Sequence, residues 1–322
     1  MDKSIKIIGI DISKDSFDIW SESFGHKQFE NSLKGFRRFN KLLEDRSLCV
    51  MEYTSSYYQK LALFLYEKQI QVSVVNPLII KRFIQMKLQR NKTDKSDSKM
   101  IALYALEQGV KLWKPAPAYI EQCNFIHTTI SVYFKQTTAL KNKLHSFNSI
   151  GVKGKVISSL KRQIRNINNE IKNLESILEE LIKEYEPELL TNLMSIKGIG
   201  KKTAILLIVS TEGFTKFENA KQLSSFFGLA PTEISSGSSV RGKNRISKKG
   251  NGIVRNHLFM CSFTASQTNL QCVNLYNRIV AKGKSKKLAL IAVCNKLLKQ
   301  SFAVAKSGIP YDPYYKSCIL TI

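Results

Sequence analysis

The sequence predicts three regions in series: an α/β N-terminal third, a long helical hairpin, and a basic, mainly α-helical C-terminal part. Three observations carry this reading. Short apolar runs alternate with helically spaced ones through the first 110 residues. Two sustained heptad runs then follow, joined by a glycine break. Beyond Pro187 the charge becomes one-sided, and residues 196–322 hold 20 Lys and Arg against 4 Asp and Glu.

Taken in order, Ile5–Ile12 is a short apolar strand, Phe17–Ser21 alternates, and Gly35–Leu43 has helical spacing. Leu48–Met51 is a second apolar strand, followed by a helical stretch from Tyr57 to Glu67. Val72–Val75 is a third strand, closed by Asn76-Pro77, and Ser96–Leu106 sets Met100, Ile101, Tyr104 and Ala105 on one helical face. Strands separated by helices predict a largely parallel sheet with an antiparallel start. In the middle, Cys123, Ile126, Ile130, Tyr133, Thr137, Leu140, Leu144 and Phe147 are spaced alternately three and four apart. After Gly151 and Gly154 the same spacing resumes from Ile157 to Tyr185. That pattern is an antiparallel coiled-coil hairpin, zipped on itself or on a second copy. The predicted boundaries are 1–112, 113–188, 189–308 and a tail at 309–322.

The chain has 322 residues, 43% of them hydrophobic and 23% charged, which excludes wholesale disorder. No run is expected to approach the roughly 20 apolar residues of a membrane helix. The first residues lack the apolar stretch of a signal peptide. The six cysteines are scattered, with no C-x-x-C pair, as in a cytoplasmic protein with reduced thiols. The formal net charge is +25, and between Glu233 and Asp312 there are 14 basic residues and no acidic one. A folded surface with that bias calls for a polyanion. Without an amphipathic anchor or lipidation motif, nucleic acid is the expected partner and a membrane is not.

Four carboxylates stand out. Asp11 ends the first strand, Glu52 ends another, and Asp94 and Asp97 lie three apart at a helix start, on a shared face. Converging there, they suit a pair of hard divalent cations acting on a phosphodiester. The plainer reading is solvated strand ends and acids favoured by a helix N-terminus. Asp11 fits the plainer reading least, because an acid directly behind Ile7–Ile10 lies close to the core.

Two further motifs carry chemistry. In Ser195-Ile196-Lys197-Gly198-Ile199-Gly200-Lys201-Lys202 the glycines allow a sharp turn between helices, presenting amides and the next helix N-terminus to a phosphate. This resembles the hairpin of helix-hairpin-helix DNA-binding modules, with Lys197, Gly198, Gly200, Lys201 and Lys202 at the backbone. An ordinary helix connection would use glycine too. The second motif is Ser235-Ser236-Gly237-Ser238-Ser239-Val240-Arg241-Gly242, followed by Lys243, Arg245, Lys248 and Lys249. A serine ringed by cations can attack a phosphate held and neutralised by them; a flexible Ser/Gly loop reads the same way. The four histidines stand isolated and read as structural or solvated.

In chain order, Gly9-Ile10-Asp11-Ile12-Ser13-Lys14, Met51-Glu52-Tyr53-Thr54 and Asn91-Lys92-Thr93-Asp94-Lys95-Ser96-Asp97 resemble the DEDD signature of the insertion-sequence one-ten family of transposases. The segments Ile196–Gly200, Phe227–Pro231, Ser236–Gly242, Ile246–Asn251 and Gly283–Lys287 resemble that family's second domain. The resemblance implies an RNase-H-like, RuvC-type N-terminal domain in which Asp11, Glu52, Asp94 and Asp97 bind Mg²⁺, or Mn²⁺ in its place. It implies Ser236 as a nucleophile forming a phosphoserine link to DNA. It also implies double-stranded DNA and a structured guide RNA from the element as partners, and a homo-oligomer, dimer or tetramer. The setting would be a bacterial or archaeal cytoplasm, at the nucleoid when active. Two positions depart from the family pattern, Ser55 after Thr54 and Ser96 before Asp97, and neither removes a carboxylate.

The expectation is therefore an RNA-guided, Mg²⁺-dependent DNA transposase or site-specific recombinase. Its rivals are a RuvC-like structure-specific nuclease, a Piv-type DNA invertase and a non-catalytic nucleic-acid-binding protein.

Overall fold

The computed structural model describes residues 5–44, 46–53, 56–88, 94–232, 235–236, 240–241 and 245–315. At 94–95, 235–236 and 240–241 it describes the backbone alone. The chain forms two compact units, Met1–Pro115 and Ala116–Ile322.

The first unit is built on a five-stranded sheet. Its strands are β1 (Lys6–Ile12), β2 (Ser16–Ser21), β3 (Gly25–Glu30), β4 (Ser47–Glu52) and β5 (Gln71–Val75), in the order β3-β2-β1-β4-β5. β1, β2 and β3 run antiparallel, while β4 and β5 continue from β1 in parallel. This mixed order fits an RNase-H-like fold and the expected antiparallel start. Four helices cover the sheet: α1 (Leu33–Asn40), α2 (Tyr57–Glu67), α3 (Pro77–Met86) and α4 (Asp94–Gln108). Ile8, Ile10, Phe17, Ile19, Cys49 and Met51 pack with α1 and α2 on one face. Ile7, Leu48 and Val50 pack with Ile80 of α3 and Ile101, Ala102 and Ala105 of α4 on the other.

Two elements go beyond the sequence reading. β3 has the sequence GHKQFE and buries only Phe29, so its apolar pattern is too thin to read as a strand. For α3 the signal was present: Asn76 accepts a hydrogen bond from the Leu78 amide and Pro77 opens the helix, so Asn-Pro starts an element as well as closing one.

The second unit begins with two long helices, α5 (Ala118–Ser149) and α6 (Lys155–Tyr185), packed against each other. They are joined through Gly151 and Gly154, both at positive φ. Then follow α7 (Pro187–Met194), α8 (Lys201–Thr211) and α9 (Ala220–Phe226), and after them four two-residue strands. These are β6 (Pro231–Thr232), β7 (Ser235–Ser236), β8 (Val240–Arg241) and β9 (Arg245–Ile246). Three helices close the chain: α10 (Gly252–Thr268), α11 (Leu270–Ala281) and α12 (Lys286–Ser307). Cys123 and Ile130 of α5, with Ile171, Leu178 and Ile182 of α6, share one apolar cluster with α7, α8, α10 and α12. The expectation that no run approaches a membrane span is corrected here. α12 is long and apolar enough to cross a membrane by length and composition, and half of its apolar window is buried in this unit. Leu290, Val293, Leu297 and Leu298 place it in the core. The five described cysteines are all free.

Candidate active site

β1 and β4 pair in parallel with Ile10 opposite Met51, so the next step along both strands sets Asp11 beside Glu52. Ile10 and Met51 belong to the α1–α2 face. By the two-residue alternation of strands, Asp11 and Glu52 therefore project to the opposite face, the one α4 covers. Both are half-buried. α4 crosses that face so closely that a Cβ on Gly9 would stand 2.1 Å from the Ser98 carbonyl oxygen and 2.4 Å from the Ala102 amide nitrogen. Glycine at this position is what lets the helix lie there. Asp97, also half-buried, immediately precedes the fully buried Ser98. The Ser96 hydroxyl donates to Asp97 Oδ1 at 3.4 Å, so this departure from the family pattern becomes a partner of the acid it precedes. Asp94 is the first residue of α4, and its side chain lies outside the described residues.

The donor set suits a hard divalent cation, being oxygen-only and anionic, with Asp11 and Glu52 side by side in the register. Among the described residues no group of three or more His, Cys, Asp or Glu is close enough to hold a metal.

A carboxylate that the sequence reading passed over shares this face. Asp18 of β2 is the direct ladder partner of Asp11 and is only 5% exposed. Its Oδ1 lies 2.7 Å from His26 Nε2, and its Oδ2 accepts from Gln28 Nε2 at 3.2 Å. The signal was the alternation itself. With Phe17 and Ile19 on one face, Asp18 had to lie on the other with Trp20, whose ring carries Lys99 Nζ of α4 5.5 Å from its centroid.

The serine motif forms an arm of two short antiparallel ladders. β6 pairs with β9 through Pro231–Ile246 and Thr232–Arg245, and β7 pairs with β8 through Ser235–Arg241 and Ser236–Val240. Ser236 thus has its backbone in the inner ladder; Gly237, Ser238, Ser239, Gly242 and Lys243 lie outside the described residues. The arm is fixed at its base. Gly228 and Gly250 have positive φ, and a Cβ would stand 2.2 Å from the Lys249 carbonyl at the first and 2.0 Å from the Phe226 carbonyl at the second. Arg255 Nη1 donates to the Phe227 carbonyl at 2.9 Å, and the Lys248 amide to that of Gly228 at 3.2 Å. Arg245, Lys248 and Lys249 are exposed around this base.

The glycine motif is the turn between α7 and α8. Gly198 has φ of 101°, and a Cβ there would lie 2.6 Å from Ala265 Cβ of α10. Ile196 and Ile199 anchor the turn in the core. Gly200 precedes α8 without a side-chain cap, leaving the helix start open. Its two lysines do not simply project outward. Lys201 Nζ lies 2.8 Å from Glu179 Oε1, and Lys202 Nζ 2.7 Å from Glu175 Oε2, both carboxylates of α6. Hydrogen bonds from Lys183 and Lys201 hold the Glu179 carboxyl below its usual range. The isolated histidines also change standing, because His127 and His257 both line a cavity of about 790 Å³ among α5, α6, α8 and α10. Burial pushes both imidazoles below their ordinary value, helped for His127 by His257 and for His257 by Lys202.

Two family models match this chain. A DEDD transposase model of the IS110 type covers residues 8–147, and the Transposase IS116/IS110/IS902 family model covers residues 190–277. The first range contains Asp11, Glu52, Asp94 and Asp97, and the second contains the glycine turn and Ser236. The pilin gene-inverting protein of Moraxella bovis is 31% identical over 322 residues, covering 95% of this chain and 97% of its own. The transposase for insertion sequence element IS1111A of Coxiella burnetii is 24% identical, covering 91% of this chain and 88% of its own. Among solved structures, T. thermophilus RuvC in complex with a Holliday junction substrate matches with a TM-score of 0.26 and 13% identity, over 34% of this chain and 99% of that one.

Proposed function

Because the chain belongs to the IS110 family of transposases, and is an enzyme that cleaves and rejoins DNA, we propose that it does so through a phosphoserine intermediate made by Ser236 and a divalent-cation site made by Asp11, Glu52, Asp94 and Asp97. The single observation that supports this most is the β1–β4 register, which sets Asp11 beside Glu52 on the face crossed by α4. Mg²⁺, or Mn²⁺, would supply Lewis-acid charge to the oxygens of the phosphodiester. Asp11 and Glu52 would hold that charge from the ends of two central strands, and Asp94 and Asp97 from α4, on regular elements rather than on a loop.

The serine step conserves the phosphoester. A Ser236 Oγ–P bond forms and one P–O ester bond of the DNA breaks; the serine gives up its proton, and the departing strand oxygen takes one up to become a hydroxyl, so the proton count is unchanged. Reversal by a different strand's hydroxyl rejoins the DNA without an external energy source. Arg241, Lys243, Arg245, Lys248 and Lys249 neutralise the phosphate around the serine. Lys197 and the amides of the Gly198–Gly200 turn bind DNA backbone, as a helix-hairpin-helix would, with Lys201 and Lys202 joining them.

The surplus of 14 basic residues between Glu233 and Asp312 supports a second polyanion, a structured guide RNA whose pairing selects the DNA. Exchange between two duplexes needs more than one serine, so the working form is a homo-oligomer, and the α5–α6 hairpin is the surface offered for it. Such chemistry belongs in the cytoplasm, at the nucleoid.

The closing test is covalent trapping. Protein, flanking RNA, Mg²⁺ and labelled junction DNA are incubated, denatured and run on a gel beside Ser236→Ala and Asp11→Asn. The expected result is a protein–DNA adduct lost in both variants. Cleavage without an adduct, surviving Ser236→Ala but not Asp11→Asn, would make the enzyme a hydrolytic nuclease instead. A second reading is favoured by one observation, the end-to-end match to a pilin gene-inverting protein. The same residues would then invert a fixed segment. Recombination assayed on inverted and on unrelated target sites separates the two.

A further inference from the structure

We infer that Asp18 is a positioning residue for the cation site, acting through Asp11; this rests on the proposed metal reading of Asp11 and Glu52. Asp11 of β1, Asp18 of β2 and Gln28 of β3 are successive register partners, so their side chains stand in one row on the face that α4 covers. Directly opposed side chains in an antiparallel pair have Cβ atoms about 4.5–5.5 Å apart, and like charges placed so are destabilising. Asp18 is also nearly sealed from water, at 5% exposure, so solvent does little to screen it. A carboxylate held there against another carboxylate needs counter-charge or donors.

Among the described residues the donors to Asp18 come from one side only. His26 Nε2 meets Oδ1 and Gln28 Nε2 donates to Oδ2, both from β3. These two bonds fix the carboxylate plane and its distance from β1. A carboxylate accepts at about four lone-pair sites, so two donors do not exhaust it. The row therefore has an ordered arrangement: a donor wall on β3, a locked anion on β2, and the ligand Asp11 on β1. A cation bound at Asp11 and Glu52 relieves the Asp11–Asp18 repulsion. Asp18 thereby raises cation affinity and holds Asp11 at its station without ligating. A merely structural Asp18 would join β2 to β3 through His26 and do nothing to cation binding.

The experiment is a titration of the full-length protein with MgCl₂ and with MnCl₂, following the thermal-unfolding midpoint and, in parallel, heat of binding. For the parent the midpoint rises with cation, and Asp11→Asn abolishes the rise. Asp18→Asn is expected to keep the fold, with an unchanged or higher midpoint in chelator, and to raise the half-saturating cation concentration three- to tenfold. Half-saturation within twofold of the parent overturns the inference while leaving the metal reading intact. No cation-dependent rise in the parent itself overturns both. If Asp18→Asn does not fold, His26→Leu carries the test. Leaving Asp18 charged but unlocked, it should weaken cation binding at least twofold, and His26→Gln, which keeps a donor in reach, should restore it. Parent-like affinity in His26→Leu overturns the inference.

Discussion

The carboxylate face of the N-terminal unit and the serine arm of the C-terminal unit carry the two halves of one proposed chemistry, and they are held in opposite ways. Asp11 and Glu52 inherit their positions from the core. Ile8, Ile10, Cys49 and Met51 must face α1 and α2, and a one-residue slip would send every one of them to the wrong side. The same alternation that buries the isoleucines aims the acids. Ser236 is held differently. Its ladder is two residues long, and the fixed geometry lies at the base, where Gly228 and Gly250 let two chain segments cross. Hydrophobic register thus specifies the two strand acids of the first site, while close backbone approach specifies the base of the second at two points.

The largest effect that would sharpen this contrast is chemical. Asp11→Asn should lower strand cleavage and rejoining by a factor on the order of 10³ or more, while leaving the unfolding midpoint within a few degrees of the parent. Activity assayed beside circular dichroism checks both halves. A large loss of fold would show that Asp11 is part of the core rather than an addition to its edge.

Next in size are the glycines. Gly9→Ala drives a Cβ into the α4 backbone and should cost about 3 kcal/mol, read from denaturant unfolding of the N-terminal unit. Gly250→Ala meets backbone at 2.0 Å and has φ of 116°, so a loss of similar size is expected there. Gly308, left-handed with φ of 68° but with nothing within 4 Å, should cost only about 1 kcal/mol on the same change. Equal costs at Gly308 and Gly250 would break the claim that close approach, rather than dihedral angle, fixes the base of the arm.

How far these sites could be read from the sequence follows the same division. β1, β4 and β5 announce themselves because their apolar runs are continuous, and the acids that end β1 and β4 are visible as interruptions of those runs. Asp18 was hidden because its strand alternates and an acid on the polar face looks solvated. Only the packing of α4, permitted by Gly9, makes that face an interior. The α6 partners of Lys201 and Lys202 were hidden for another reason. Glu179 and Glu175 precede them by 22 and 27 residues, and which helix faces which is a tertiary fact that local spacing does not carry. The pairing of His127 with His257 in one cavity is hidden in the same way.

Those histidines give a smaller, pH-dependent effect. Both are depressed in the folded chain, so below the ordinary imidazole value of about 6.5 the unfolded chain binds more protons than the folded one. The contribution to stability is fully present above about pH 7 and is lost as pH falls through 6.5 toward the depressed values. The midpoint of the C-terminal unit should fall on acidification from pH 7 to 5.5. The double change His127→Gln, His257→Gln should flatten that fall. An unchanged slope would mean that the cavity stays open enough for both rings to protonate freely.

The smallest effect in stability bears most directly on how nucleic acid meets the second unit. Lys201 and Lys202 open α8, where the helix start and the Gly198–Gly200 amides favour an anion, yet both are paired with α6 carboxylates. Such exposed pairs contribute about 0–1 kcal/mol each, so losing them costs the fold little. A phosphate arriving at the turn must compete with Glu175 and Glu179 for the same ammonium groups. Replacing both carboxylates with glutamine removes the competitor and leaves the lysines in place. Affinity for duplex DNA should then rise, and the slope of log affinity against log salt should steepen by roughly 0.9 for each lysine newly engaged on phosphate. Glu175 also offsets the depression of His257 by burial and Lys202, so without its charge the imidazole is depressed further and the acid-side fall in stability should become steeper in the same variant. A salt slope identical to the parent's would show that these lysines serve the α6–α8 contact alone, and that the turn meets DNA through its backbone amides and Lys197.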